Sequence, residues 1–405
     1  MDRTGWLQPW IVAAALLATQ PALAQSPRRI SYAEVVRLSG VGAPTVEAAR
    51  ADERAVGADG RAGAVYPNPS ISAGSTTEAA RLTIGVTVPL VVFGQRGAAL
   101  EAGQAATNVA HQDTRASIAD ARANAAQAYV ALWSAERSAI ALTQAAQLAL
   151  KLEAIVQARV EVGSAPALEQ LRAHSDRLRA EMDASVATDL VDASASELCV
   201  WTGLAIDERL RAADAPLTPE QPPALSQVLS RLPQSPALQR AELEIRAAEA
   251  RAASERAQVR PALSLDLAAE YFDPTVPATN YIAQLGLEVP LFNQRGPMIE
   301  RERFRTASAR FRLGAERKAR GSALLVAYRN FTAHARRQQT LVQGVLPALR
   351  AAAQAAEESY ALGRTPLVSV LDARHASIDA ELDLFATEAA RAKAWIEVEH
   401  LLGSP

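Results

Sequence analysis

The sequence predicts a mixed α/β membrane protein, in which long helical hairpins hang from short β-hairpins and the whole arrangement occurs twice. Three observations predict it. One stretch is repeated, as Val88-Pro-Leu-Val-Val-Phe-Gly-Gln-Arg-Gly97 and Val289-Pro-Leu-Phe-Asn-Gln-Arg-Gly296. Each copy ends a segment that alternates apolar and polar residues and opens a long helical one. The chain also begins with an export signal, and no run of about 18 or more apolar residues follows it.

The two copies keep a common offset along the chain. Val88 to Val289 is 201, Gln95 to Gln294 is 199, and Ala128-Tyr129 to Ala327-Tyr328 is 199. Gly163 to Gly363 and Pro166 to Pro366 are each 200. A constant offset implies duplication, with a unit far longer than a solenoid repeat of roughly 20–50 residues. The first unit is expected over 25–206 and the second over 224–405, joined by a proline-rich linker at 207–223 that lies at neither the strand end nor the turn end of the repeat.

Residues 1–24 read as a secretory signal. Trp10 to Ala18 is apolar, and Ala22-Leu23-Ala24 is a small-x-small site, so cleavage is expected after Ala24. A net charge of −2 gives no electrostatic reason to bind nucleic acid. The single cysteine, Cys199, can build neither a disulfide nor a zinc cluster within one chain.

In the first unit a short helix and a second one from Pro44 to Ala64 precede a β-hairpin at 69–89. Leu82, Ile84, Val86 and Val88 alternate with Arg81, Thr83, Gly85 and Thr87. Pro89 lacks an N–H and is expected to end the strand; Gly94 and Gly97 then free the backbone to turn. The second unit repeats this, with a helix at Pro236–Val259 and a hairpin at 262–290. There Leu263, Leu265, Leu267, Ala269 and Tyr271 oppose Ser264, Asp266, Ala268 and Glu270, and Pro290 and Gly296 take the ending and turning roles. Strands of about 7–9 residues fall slightly short of the roughly 9–11 that span a bilayer. Four strands cannot close a barrel, whose small end is about eight, so several chains must share one.

No proline interrupts Gly97 to Val162. At 1.5 Å per residue the long helix at 97–162 extends on the order of 100 Å. Trp133 and Ile140, then Leu148, Ile155 and Val162, recur in seven-residue steps, as in a coiled coil. The tip at 162–166 turns it into a return helix at 167–203. The twins are a long helix at 297–362, a tip at 362–366 and a return helix at 367–402. Gly163 and Gly363 suit a left-handed C-cap, and Pro166 and Pro366 the start of the next helix. Pro347, which faces Gln147 in the alignment of the two units, is expected to kink the second long helix.

With these residues on the page, the chain resembles the TolC-type outer-membrane factor family, the exit ducts of tripartite efflux pumps. The segment Tyr360-Ala-Leu-Gly-Arg-Thr-Pro-Leu-Val-Ser-Val-Leu-Asp372 carries the resemblance most specifically. Leu287-Glu-Val-Pro-Leu-Phe-Asn-Gln-Arg-Gly296 is most similar to the ducts of heavy-metal systems of the cobalt–zinc–cadmium type. The resemblance implies a homotrimer with a twelve-stranded outer-membrane β-barrel above a periplasmic α-barrel. It also implies contact with outer-membrane lipid, a periplasmic adaptor and an inner-membrane pump, and no cofactor. Adaptor contact falls to the tips, Val162, Gly163, Ser164, Leu362, Gly363 and Thr365. The pore constriction falls to Tyr360 as a latch, with Arg364, Ser369 and Asp372. The match is not complete: Arg364 sits one residue earlier than the family's arginine, and Ser369 stands where the first of two acidic residues is expected.

The histidines, His111, His174, His334, His375 and His400, are scattered and form no metal-binding pair, and no phosphate loop or catalytic constellation is present in the sequence. The function that the resemblance implies is a passive efflux duct, with heavy-metal cations as one substrate class. A duct for drugs or for type I protein secretion is the alternative within the class. An exported coiled-coil scaffold or adaptor that never enters a membrane is the alternative outside it.

Overall fold

The computed structural model describes residues 27–76, 81–271 and 279–403. The expected signal segment lies outside the described residues, as do most of the expected hairpin tip at 76–80 and most of the loop that follows Tyr271.

The same succession of elements occurs twice. Strand β1 (Arg28–Ile30) leads into α1 (Tyr32–Gly42) and α2 (Pro44–Ala62), then β2 (Ser70–Thr76), β3 (Arg81–Leu90), α3 (Gln95–Glu161) and α4 (Ala167–Thr202). After β4 (Leu210–Ala212) come α5 (Leu225–Arg231) and α6 (Pro236–Ala257), then β5 (Ala262–Tyr271) and β6 (Thr279–Glu288). Helices α7 (Gly296–Thr340), α8 (Leu346–Ala361) and α9 (Leu367–Leu402) complete the chain.

The two hairpins form one antiparallel sheet in the order β2-β3-β5-β6. Its register places Ile71 beside Val86, Val86 beside Leu267, and Leu267 beside Ala283. Val88, Leu265 and Leu285 form the next row on the same face. Successive side chains alternate between faces. The opposite face therefore carries Thr87, Asp266 and Gln284 in one row and Thr83, Glu270 and Asn280 in another. Thr87 Oγ1 donates to Asp266 Oδ1 at 2.5 Å and Ser264 Oγ to Asp266 Oδ2 at 3.2 Å, so this face holds its polar groups together. On the apolar face Ile71, Tyr281, Leu285 and Leu287 are exposed in the single chain.

Two details of the strand ends differ from expectation. β3 does not stop at Pro89 but runs to Leu90, pairing Pro89 with Ser264 and Leu90 with Leu263. β2 reaches only as far as Thr87, so Pro89 lies on an open edge, where a missing N–H is tolerated. β3, β5 and β6 are each 10 residues long, within the spanning range. The turns after the hairpins also differ from each other. Gly94 takes a left-handed φ of 84°, but in the second unit that conformation falls on Arg295, at 50°, whose N–H is held by Asn293 Oδ1. Gly97 and Gly296 are simply helical.

The linker is more structured than its prolines suggest. Leu210–Ala212 pairs in parallel with Arg28–Ile30, and both Ile30 and Leu210 are fully buried. Tyr129 is buried edge-on against Tyr32, 5.6 Å between ring centres. Its hydroxyl donates to Asp214 Oδ1 at 2.6 Å, and burial raises its pKa. The twin tyrosine, Tyr328, donates to Pro223 O at 2.9 Å, and Arg391 donates to Pro219 O at 2.6 Å. The repeated tyrosines thus strap the linker to both halves.

Near Pro347 the second long helix widens into a π-turn at Leu341–Val345, so the interruption sits one turn ahead of the proline. In α3 no such break occurs between Gln95 and Glu161. By length and composition α3 is apolar enough to cross a membrane, although no run of apolar residues marks it. It packs against α1, α2, α4, α6 and α9. The buried residues of α3 are mainly alanines, with Tyr129, Val130, Leu132, Leu152 and Val156. The seven-step residues Ile140, Leu148, Ile155 and Val162 are instead exposed. Trp133, at the head of the same seam, is half-buried against the core, so it is only the seam beyond it that does not pack within the chain.

Candidate functional site: the paired helix tips

Both tips close with the same hydrogen bonds. Gly163 N donates to Val160 O at 2.9 Å and Ser164 N to Arg159 O at 2.8 Å; Gly363 N donates to Tyr360 O at 2.8 Å and Arg364 N to Ser359 O at 2.9 Å. This is the Schellman arrangement, and it needs a left-handed residue after the cap. Gly163 and Gly363 both supply it at φ 72°. Val162, Gly163, Ser164, Leu362, Gly363 and Arg364 are exposed, and Thr365 is half-buried.

The two tips are joined to each other through Tyr360. Its ring is buried among Leu152, Val156, Ala173, Leu367 and Val370, which come from α3, α4 and α9. The Tyr360 hydroxyl donates to Glu169 Oε2 at 2.8 Å. Arg159 stacks on the ring with its guanidinium 4.4 Å from the centre, and donates to Tyr360 O at 2.6 Å. Arg159 ends α3, Tyr360 ends α8 and Glu169 opens α4, so one tyrosine ties the second hairpin to both helices of the first. Burial, then the Glu169 carboxylate, push its phenol up to about 12.

Neither Arg159 nor Glu169 was singled out by sequence reasoning. A signal was available in the duplication itself: Glu169 is the counterpart of Ser369, and Arg159 of Ser359, at the common offset of 200. The acidic residue missing at 369 stands at the same place in the other unit.

The other residues expected at the constriction are not gathered with Tyr360. Ser369 and Asp372 lie exposed on α9, as Arg364 does in the turn. Asp372 makes no ion pair among the described residues. Arg374, the basic residue nearest to it on the helix, donates to Glu357 at 2.5 Å and to Leu148 O at 3.0 Å. Farther along α9, His375 Nε2 lies 2.8 Å from Asp176 Oδ1 of α4. No group of three or more metal-binding side chains occurs among the described residues. The arrangement ties the two hairpins together through Tyr360 and leaves the Asp372 carboxylate exposed near the same tip.

Similarity to known proteins agrees with this anatomy. The chain is 25% identical to the cobalt-zinc-cadmium resistance protein CzcC of Cupriavidus metallidurans, over 98% of both sequences. Its fold matches that of CusC with a TM-score of 0.76 at 18% identity, covering 95% of this chain and 96% of that one. The CmeC outer membrane channel of Campylobacter jejuni also matches, with a TM-score of 0.76 at 14% identity over 92% of this chain and 85% of that one. The sequence fits the outer membrane efflux protein family over residues 41–204 and 228–404, and the chain belongs to that family.

Proposed function

We propose that three copies of this chain form a passive exit duct in the outer membrane, the last stage of a tripartite system with a periplasmic adaptor and an inner-membrane pump. The observation that carries this reading is the register of the four-stranded sheet. It puts Ile71, Val86, Val88, Leu265, Leu267 and Leu285 on one face and Thr87, Asp266, Glu270 and Gln284 on the other. An apolar outside and a polar inside are what a water-filled transmembrane barrel requires. Four strands per copy make twelve in a trimer, and closure removes the open edges at β2 and β6. The exposed seven-step residues of α3 support the trimer as well, because a coiled-coil seam without a partner in its own chain suits a helix of another copy.

In this reading the mature chain begins after Ala24, the two units arose by duplication, and the helices descend into the periplasm. The tips at Val162–Ser164 and Leu362–Thr365 meet the adaptor. Tyr360 latches the closed state, and Asp372, repeated three times around the axis, gives the constriction its negative charge. The relation to a cobalt-zinc-cadmium resistance protein favours heavy-metal cations as the substrate class. Deleting the gene tests this: the strain should become sensitive to cobalt, zinc or cadmium and regain resistance on complementation. Sensitivity to organic drugs alone, or loss of a secreted protein, would assign the duct to another pump. A strain unaffected in all three while the protein is found free in the periplasm would favour the scaffold.

A further inference from the structure

We propose that the cleft between α6 and α7, lined by Arg256, Arg303 and Arg310, binds the phosphate of an anionic phospholipid headgroup at the periplasmic edge of the membrane. The proposal rests on the reading of the sheet as membrane-spanning. The cleft has a volume of about 330 Å³ and is walled by Ala252, Thr306 and Ala307, with Glu249 at its side. Arg310 donates to Glu249 Oε1 at 2.7 Å, which offsets the one acidic group present and fixes Arg310 at the rim. Arg256 and Arg303 are exposed, and among the described residues their guanidinium groups make no hydrogen bond or ion pair. Three guanidiniums against one carboxylate leave an excess of positive charge. Guanidinium matches phosphate with paired N–H donors.

The position fits a headgroup. Arg256 lies six residues before Ala262, where β5 begins. Arg303 lies seven residues into α7, about 10 Å along its axis. The opposite face of the α6–α7 pair carries Arg251, Arg305 and Arg312 and is shared with Val109 of α3, whereas the Arg256 cleft is lined by α6 and α7 alone. The proposal assigns the Arg256 face to the outside of the closed duct. Basic pockets at the level of a membrane surface attract anionic headgroups.

The charge is particular to this helix. Residues 296–320 hold eight basic and three acidic side chains, whereas residues 97–121 of the twin helix hold one basic and three acidic. At the offset of 199 the counterparts of Arg303 and Arg310 are Gln104 and His111. A merely solvated helix face would give no reason for that difference.

The test uses the mature full-length protein reconstituted in phosphatidylethanolamine vesicles with or without phosphatidylglycerol, washed with urea, and then examined for retained lipid by native mass spectrometry. We expect selective retention of phosphatidylglycerol, weakened at least about tenfold by the double variant Arg256→Gln/Arg303→Gln. Arg251→Gln/Arg312→Gln, on the face shared with α3, should retain it as the unaltered protein does. Equal retention of both lipids by the unaltered protein would overturn the proposal. So would equal loss in the two double variants, or no loss in either. Inorganic phosphate should fail to displace the lipid; full displacement would assign the cleft to a free anion. Failure of the membrane-spanning reading is distinct, since the protein would then wash off all vesicles with urea.

Discussion

The Tyr360 hydroxyl and the Glu169 carboxylate are 2.8 Å apart, although they belong to different repeats and lie 191 residues apart in sequence. The bond joins the end of α8 to the start of α4, and Arg159 covers the other side of the ring. Removing one partner of a hydrogen bond to a charged group costs about 1.5–3 kcal/mol. Tyr360→Phe and Glu169→Ala, which removes the acceptor oxygens, should each raise the open fraction of the channel in planar bilayers. The double variant should open no more than about as far as the stronger single one, because both remove the same bond. Unchanged conductance in both single variants would show that the bond is not a latch.

The same tyrosine gives a pH prediction. Its phenol titrates near 12 in the folded tip, against about 10 in an unfolded chain. The folded state thus holds the proton longer, so the contribution is complete below about pH 10 and is lost as pH rises from there towards 12. Thermal unfolding should fall more steeply over that window in the unaltered protein than in Tyr360→Phe. Acidification towards about pH 5 should leave this bond intact, because the group is already protonated.

Asp372 separates function from stability. It is exposed and has no ion-pair partner among the described residues, with Arg374 committed to Glu357. Asp372→Ala should therefore change the free energy of unfolding little, within about 0.5 kcal/mol. It should reduce cation selectivity and block by divalent cations. A stability loss with unaltered selectivity would make it a packing charge.

The turn glycines should behave as a pair. Both have φ 72°, and around Gly163 a Cβ would meet no atom within 4 Å. The cost of Gly163→Ala is then conformational alone, about 1–2 kcal/mol, and Gly363→Ala should match it. Adaptor capture should weaken in both while the trimer persists. Loss of the trimer would mean that the turns act only through folding.

Much of this anatomy is legible in the sequence, because long-period and short-period patterns survive without knowledge of contacts. The alternation at Leu82–Val88 and Leu263–Tyr271 gives the two faces of the sheet, and proline-free stretches give the helices. What stays hidden depends on pairing across great distances in the chain. β1 and β4 are three residues each, too short for periodicity, and their partnership spans about 180 residues. Gly97 reads as a turn residue, but the left-handed position falls on Gly94, where the chain passes close to Arg260. Among the residues expected at the constriction, Tyr360 stands in the family-like segment itself, while its partner Glu169 is reached only through its repeat counterpart Ser369, because the pair is split between repeats. Ile140, Leu148 and Ile155 show the reverse: their seven-residue spacing is plain, but it marks a surface left open in one chain.

The central claim is a trimer held in the outer membrane by the apolar face of the sheet. The most direct measurement is the oligomeric mass and urea-resistant membrane yield of Leu265→Arg and Leu285→Arg beside Ser264→Arg and the unaltered protein. The unaltered protein should be a trimer that resists urea. The two leucine variants, in one cross-strand row of the apolar face, should each lose about 2–4 kcal/mol of insertion energy near the midplane. Ser264→Arg, on the polar face, should be milder. A monomer that washes off with urea, or equal yields from all three variants, would contradict the account.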